Sequence, residues 1–401
     1  MAKETELPQL PLPRSNVLDI SPQYKVLRDR APLVKVRTEM GDEAWLATRY
    51  DVIKQLFGDA RLGRSHHDPE SASLVSESLL FGRPHGEFET EPDLHRIQRK
   101  VLVPAFSARR MRLLKEHVTE LAASMLEELA RLTPPVDLHD RFSIPLPITV
   151  ICELIGVPGP DRDTFRGWSA RFGSNDQADA AQAAMEMLAY TADLVGRRRK
   201  DPQDDLVSDL ISIAAAENLE LLTDHEIAEM AAHLVFGGHE TTVGRIDYGT
   251  LLLLRHPEQR KALVEDPSLV DQAVEEILRR SSPVDDHFIR YAREEFEMGG
   301  VTVAKGDCLL ISTSVGNMDD RVFPDPERFD IFRKPDASHV GFGHGLHYCV
   351  GNALARTELR AVFSQLFQRF PTLELAVPLE ELRINMEERW IGGLDRLPVT
   401  W

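Results

Sequence analysis

The chain has 401 residues, 42% of them hydrophobic, and 47 Lys and Arg stand against 65 Asp and Glu for a formal net charge of −18. So acidic a protein is poorly suited to nucleic acid and well suited to remaining soluble. Its three cysteines, Cys152, Cys308 and Cys349, are widely spaced and odd in number, so no disulfide framework is implied and a reducing cytoplasm is expected.

The start, MAKETELPQLPLPRSN, is polar and proline-bearing, without the apolar core of a signal peptide. No later run approaches the ~20 apolar residues of a membrane span. No linker, repeat or low-complexity tract interrupts the chain, so a single domain over residues 1–401 is expected, large enough to enclose a cofactor. Tyr24 to Asp29 has a short helical pattern. Residues 33–37 and 44–48 alternate with period two around Gly41 and predict a β-hairpin, followed by a helix from Tyr50 to Phe57. Residues 59–90 are polar; His66, His67 and His85 there have no metal-ligand spacing and are expected to be solvated.

Asp93 to Phe106 puts His95 and Arg99 four apart on one helix face. That face is either an ordinary solvated basic surface or a site for carboxylates, which guanidinium forks suit. Arg109, Arg110, Arg112 and Lys115 form a basic cluster, a candidate docking surface for an acidic redox partner. Helices are predicted at 115–132, ended by Pro134-Pro135, at Ser143–Gly156, and at Asp161–Gly173 and Asp179–Arg199, these last two joined by a polar turn at residues 173–175. Pro202 to Leu210 reads as a charged joint leading into a further helix.

From Asp224 to Leu254 a helical pattern runs about 45 Å at 1.5 Å per residue, with Thr223 or Asp224 as cap. Its middle, Phe236-Gly237-Gly238-His239-Glu240-Thr241-Thr242, breaks helix propensity, since each interior glycine costs roughly 1 kcal/mol relative to alanine. A flat group lying against the backbone would explain the two glycines. Glu240 and Thr241, an acid followed by an alcohol, suit holding a water and passing protons, although a flexible helix with exposed polar residues would read the same way. Ala273 to Arg280 carries Glu276 and Arg279 three apart, able to pair. Residues 296–302 and 307–313 read as strands of one small sheet.

The stretch Gly341 to Arg356, GFGHGLHYCVGNALAR, presents Cys349 in a glycine-rich loop that turns into a helix from Asn352 to Phe363. Glycine lets backbone approach a flat ligand, and a helix N-terminus behind a sulfur favours thiolate over thiol. No second cysteine lies near enough for zinc.

This loop, FGxGxHxCxG followed by LAR, resembles the haem-binding loop of the cytochrome P-450 superfamily, and the resemblance extends over nearly the whole chain. It implies a mainly α fold with a minor β part, the cytochrome P-450 fold. It implies haem b with Cys349 as iron ligand; Glu240 and Thr241, matching the GGxETT signature, in proton delivery; and His95, Arg99, Arg290 and His347 on the haem propionates, with His339 a further contact. Phe342 would shield the thiolate, and Gly343, Gly351, Gly237 and Gly238 would line the haem. Glu276 and Arg279 would be structural. Val284, Asp285, Asp286, His287, Phe288 and Ile289, just before Arg290, and a turn at Trp390 to Leu394 carrying Ile391 would face substrate; the two acids and the histidine suit one bearing an amine or hydroxyls. Residues 59–90 would cover the substrate. Ile97, where relatives often carry arginine, and Met318, in an otherwise ANRD-like run, depart from the pattern. The implied activity is monooxygenation of a small organic molecule in bacterial specialised metabolism. Electrons would come from NAD(P)H through a ferredoxin reductase and ferredoxin, in a monomeric cytoplasmic enzyme without membrane or nucleic-acid partners. Two alternatives stay open: peroxide-driven oxidation or oxidative C–C and C–N coupling on the same haem, and a non-enzymatic haem sensor.

Overall fold

A computed structural model describes residues 7–78, 82–172, 176–219, 222–281, 287–384 and 393–401. The expected turn at residues 173–175, the candidate substrate residues Val284, Asp285 and Asp286, and Trp390, Ile391 and Gly392 lie outside these.

The elements begin with α1 (Gln23–Arg30), the hairpin β1 (Leu33–Arg37) and β2 (Glu43–Ala47), α2 (Tyr50–Gly58) and β3 (Leu62–Gly63). Helices then dominate: α3 (Glu91–Ala105), α4 (Ala108–Leu129), a short β4 (Val136–Asp137), α5 (Pro145–Ile155), α6 (Arg162–Phe172), α7 (Gln177–Lys200), α8 (Leu206–Ala216), α9 (Asp224–Arg255), α10 (Pro257–Glu265) and α11 (Val270–Arg280). The rest is β5 (His287–Ala292), β6 (Phe296–Met298), β7 (Val301–Val303), β8 (Cys308–Ser312), α12 (Thr313–Asn317), α13 (Asn352–Phe363), α14 (Leu366–Arg369), β9 (Glu374–Leu375) and β10 (Pro398–Thr400). No helix among the described residues is long and apolar enough to cross a membrane.

The chain divides into two compact units, each assembled from separate stretches. One comprises the described residues up to Pro92 with Leu278–Phe329 and Lys334–Cys349. It is built on the five-stranded sheet β1-β2-β8-β5-β3, with the hairpin in register Leu33↔Ala47 to Arg37↔Glu43 as its alternation predicts. The expected single sheet from 296–302 and 307–313 is corrected here: β6 and β7 pair only with each other, while β8 joins the larger sheet beside β5. The reason is composition. Every residue of β8, Cys308 to Ser312, is buried, as in a strand covered on both faces. Buried Arg28 ties this unit together, donating to the carbonyls of Thr48 (3.0 Å), Met318 (2.8 Å) and Val315 (2.9 Å).

The other unit comprises Asp93–Ile277, Asp330–Arg333 and Val350–Trp401. Its longest element is α9, 32 residues, capped by Thr223 in a capping box with Glu226. From Val243 to Leu253 nearly every residue is buried, whatever face it is on, so this half of α9 is an interior helix. α4 starts at Ala108, seven residues before the expected position, because Ser107 accepts the Arg110 N–H as N-cap.

Candidate active site

The loop around Cys349 is a chain of tight turns. Gly343 N–H donates to Val340 O (2.8 Å), Tyr348 N–H to Gly345 O (3.1 Å) and Cys349 N–H to Phe342 O (3.0 Å). Gly343 and Gly345 have φ of 71° and 67°, the left-handed region. Gly345 has a second reason to lack a side chain: a Cβ there would stand 2.6 Å from the Gly58 Cα at the end of α2. The loop is therefore braced on the sheet-bearing unit. The Phe342 ring lies 6.4 Å from the Tyr348 ring and 5.9 Å from that of His339, whose Nδ1 accepts the Gly341 N–H.

Cys349 is partly exposed, as are His347, Phe342, Gly343 and Gly351, the N-cap residue of α13. Cys152 and Cys308 are buried. Burial pushes the Cys152 thiol up to about 12, and that of Cys308 further, with Asp307 adding to the effect. Both are inert core thiols.

Strand β5 sorts the described residues expected to face substrate. Alternation places Phe288 and Arg290 on one face and His287, Ile289 and Tyr291 on the other. Phe288 is 42% exposed and meets the Phe57 ring edge-on at 5.7 Å. His287 is buried, its Nε2 3.4 Å from the Tyr24 hydroxyl. The period of two thus leaves Phe288 exposed and carries the His287 side chain toward Tyr24. Arg290 is buried; its Nη1 donates to its neighbour's carbonyl, Ile289 O, at 2.8 Å. Burial pushes its guanidinium down to about 10, Arg64 adds to the shift, and Glu91 opposes it.

In the helical unit, Glu240 and Thr241 part company. Thr241 is exposed and its hydroxyl donates to Gly237 O one turn back at 2.8 Å. Glu240 is buried beside His239, Oε1 3.5 Å from Nδ1, and that same Nδ1 lies 2.9 Å from Ser169 Oγ of α6. His239 and Ser169 are thus neighbours of the acid that sequence reasoning missed; a serine 70 positions upstream gives no local signal. The two glycines differ as well. A Cβ on Gly237 would meet open space, while one on Gly238 would press on Ile151 of α5 at 3.0 Å, so Gly238 serves helix packing. His95 and Arg99 are both half-buried on α3.

Three further expectations need correction or detail. Arg110 is not a surface cation: it pairs with Asp209 (2.5 Å) and Asp204 (3.3 Å), leaving Arg109, Arg112 and Lys115 exposed. His66 is not solvated: it is buried, with Nε2 3.1 Å from Gly306 O and its ring edge-on to Tyr291. Buried Arg279 donates to the carbonyls of Asn317, Pro326 and Arg328, and buried Glu276 accepts from Asp330 N–H and Arg333 Nε, so both hold the segment that leads to the cysteine loop. Among the described residues no group of His, Cys, Asp and Glu is arranged to hold a metal ion by itself.

A family model described as Cytochrome P450 matches residues 161–388. Pentalenolactone synthase of Streptomyces exfoliatus is 40% identical over 405 residues, spanning 99% of this chain and 100% of that protein. The chain belongs to the cytochrome P-450 family. Mycinamicin IV hydroxylase/epoxidase of Micromonospora griseorubida is 37% identical over 388 residues, 96% of each chain. Among solved structures, the substrate-free cytochrome P450 PimD, a polyene macrolide antibiotic pimaricin epoxidase, superposes with a TM-score of 0.87 at 38% identity, covering 98% of this chain and 99% of that one. The putative thioether synthase SgvP, involved in the tailoring step of griseoviridin, gives 0.89 at 32% identity, covering 98% and 100%. The mainly α cytochrome P-450 fold and the monooxygenase, oxidoreductase class follow, with relatives in bacterial natural-product pathways and haem iron implied by the family. This chain's residues fit that group: a partly exposed cysteine in a glycine turn suits an iron, and a buried guanidinium with donors to spare suits a carboxylate.

Proposed function

We propose that this cytochrome P-450 hydroxylates or epoxidises a small organic molecule of bacterial specialised metabolism. It would work as a single-domain cytoplasmic monomer, with electrons from NAD(P)H through a ferredoxin reductase and ferredoxin. The observation that carries the assignment is Cys349, the one cysteine of the three that is not buried, on the glycine turn. Cys349 would ligate the iron; His95, Arg99, Arg290 and His347 would hold the propionates; Phe342, Gly343, Gly351 and Gly237 would lie against the haem. When bound, a thiolate-ligated haem supplies dioxygen activation.

Thr241 orients the proton path. Its hydroxyl hydrogen is given to Gly237 O, which leaves the oxygen lone pairs to accept from a water. Glu240, buried beside His239, holds the carboxyl from which that path is replenished. Phe288 offers an apolar contact to substrate, and Val284, Asp285, His287 and Ile391 remain assigned to the same wall. Relatives named for mycinamicin and pimaricin support a macrolide-like substrate.

The purified protein, reduced and exposed to carbon monoxide, should show the Soret shift of a thiolate-ligated haem. A folded protein without that shift sinks the assignment. Thr241→Ala should cut the fraction of consumed oxygen recovered in product by roughly tenfold or more, within the contribution typical of a positioned proton-transfer group. The likeness to the thioether synthase favours coupling as second reading; full retention of coupling efficiency in Thr241→Ala would select it.

A further inference from the structure

Strands β3 and β5 pair antiparallel, Leu62 with Ala292 and Gly63 with Tyr291. One step further along this register, Arg64 stands opposite Arg290. Directly opposed side chains share a face with Cβ atoms about 4.5–5.5 Å apart, and like charges there repel. Among the described residues, neither guanidinium has a carboxylate within ion-pairing distance; Arg290 Nη1 donates to Ile289 O, and Arg64 is exposed.

The nearby acid offsets them only in part and does not pair with either, because its oxygens are bonded elsewhere. Glu91 accepts from the backbone N–H of Arg64 (2.7 Å) and Ser65 (3.0 Å), from the Ser65 hydroxyl (2.5 Å), and from Arg293 Nη1 (3.4 Å). Of the three arginines here, only Arg293 brings its guanidinium to this carboxylate. The same bonds hold the Arg64 backbone in place, and His85 N–H fixes its carbonyl at 2.8 Å. Gly63 is part of this arrangement: a Cβ there would stand 2.6 Å from Glu91 Oε2. The Arg290 guanidinium is held down first by its burial, and Arg64 adds to the shift.

We propose that Arg64 and Arg290 form a two-arginine clamp for a carboxylate. Two opposed forks with unused N–H groups match the two oxygens of such a group, and each bond would be charge-assisted at both ends. The carboxylate belongs either to a haem propionate, in which case the clamp rests on the haem reading above and adds Arg64 to the residues that hold it, or to the substrate.

The test compares Arg64→Ala and Arg64→Lys holoenzymes with Arg61→Ala, a nearby arginine that pairs with Asp59 and covers the Phe296 ring instead. Transfer of haem to an acceptor apoprotein should be roughly tenfold faster in Arg64→Ala, as for loss of a hydrogen bond between charged groups, and intermediate in Arg64→Lys. It should be unchanged in Arg61→Ala. The difference should vanish when the proteins are reconstituted with haem dimethyl ester; that result assigns the clamp to the propionate. If haem transfer is unchanged but 4-(imidazol-1-yl)benzoate binds roughly tenfold more weakly to Arg64→Ala while its methyl ester does not, the carboxylate is the substrate's. No change in either measurement overturns the clamp. The carbon monoxide band of the wild type reads the haem-thiolate assignment separately, so the two can fail independently.

Discussion

The loop at Cys349 and the strand at Cys308 belong to the same unit and end in opposite chemistry. On the loop, glycine turns at 343 and 345 leave the sulfur partly exposed, and the backbone N–H of Cys349 is already spent on Phe342 O. On β8, the sulfur is enclosed by a strand with every residue buried, and its thiol is driven far up by the loss of water. The same side chain is a candidate metal ligand in one place and a small hydrophobe in the other. What separates them is the backbone around the sulfur, not the sulfur.

The sharpest way to break this contrast is to exchange the sulfurs. Cys349→Ala should abolish the thiolate-type carbon monoxide band and turnover together. Cys308→Ala should keep both and lower unfolding free energy by about 1 kcal/mol, the scale of a small group deleted from a core, measured by urea titration. A Cys308→Ala protein without the band would show that the two regions are not independent. Next in size is labelling. Iodoacetamide added to folded, haem-free protein should modify Cys349 first, with Cys152 and Cys308 protected until denaturant is added. Peptide mass spectrometry showing early labelling of either core cysteine would end the distinction. Smallest is the same contrast carried to a carboxyl. Glu358 on α13 is buried, and burial raises its pKa well above the ordinary carboxyl value. The folded state then keeps a proton that the unfolded state releases, so stability falls as pH rises from the unfolded pKa toward the folded one. Glu358→Gln should remove that part of the slope: its melting temperature relative to wild type should be higher at pH 8 than at pH 5. An equal difference at both values would mean that the carboxyl is not held neutral.

Much of this was legible along the chain because it is local. The hairpin at 33–47 alternates, the long helix offers Thr223 or Asp224 as its cap and Thr223 fills that place, and the cysteine loop carries its glycines within eleven residues. What was hidden depends on distant partners. Arg110 looked like part of a basic patch because Asp204 and Asp209 lie more than ninety positions away. Strand β5 was read as a substrate wall ending in a propionate arginine and not as a strand, since HFIRYA does not alternate polar and apolar residues cleanly. Arg64 drew no notice as a lone basic residue in a polar stretch; only the β3–β5 register sets it across from Arg290.

The contact of Gly345 with Gly58 bears on how such proteins are recombined. The two positions are 287 residues apart in the chain, yet a side chain at Gly345 would have to move the Gly58 backbone, whereas a Cβ at Gly58 itself would meet open space. Chimeras that take the cysteine segment from one parent and the amino-terminal quarter from another must inherit both positions from compatible sources. A donor with alanine at 345 would shift the loop, and with it the sulfur, however faithful the rest of the motif, while alanine at 58 would be accommodated.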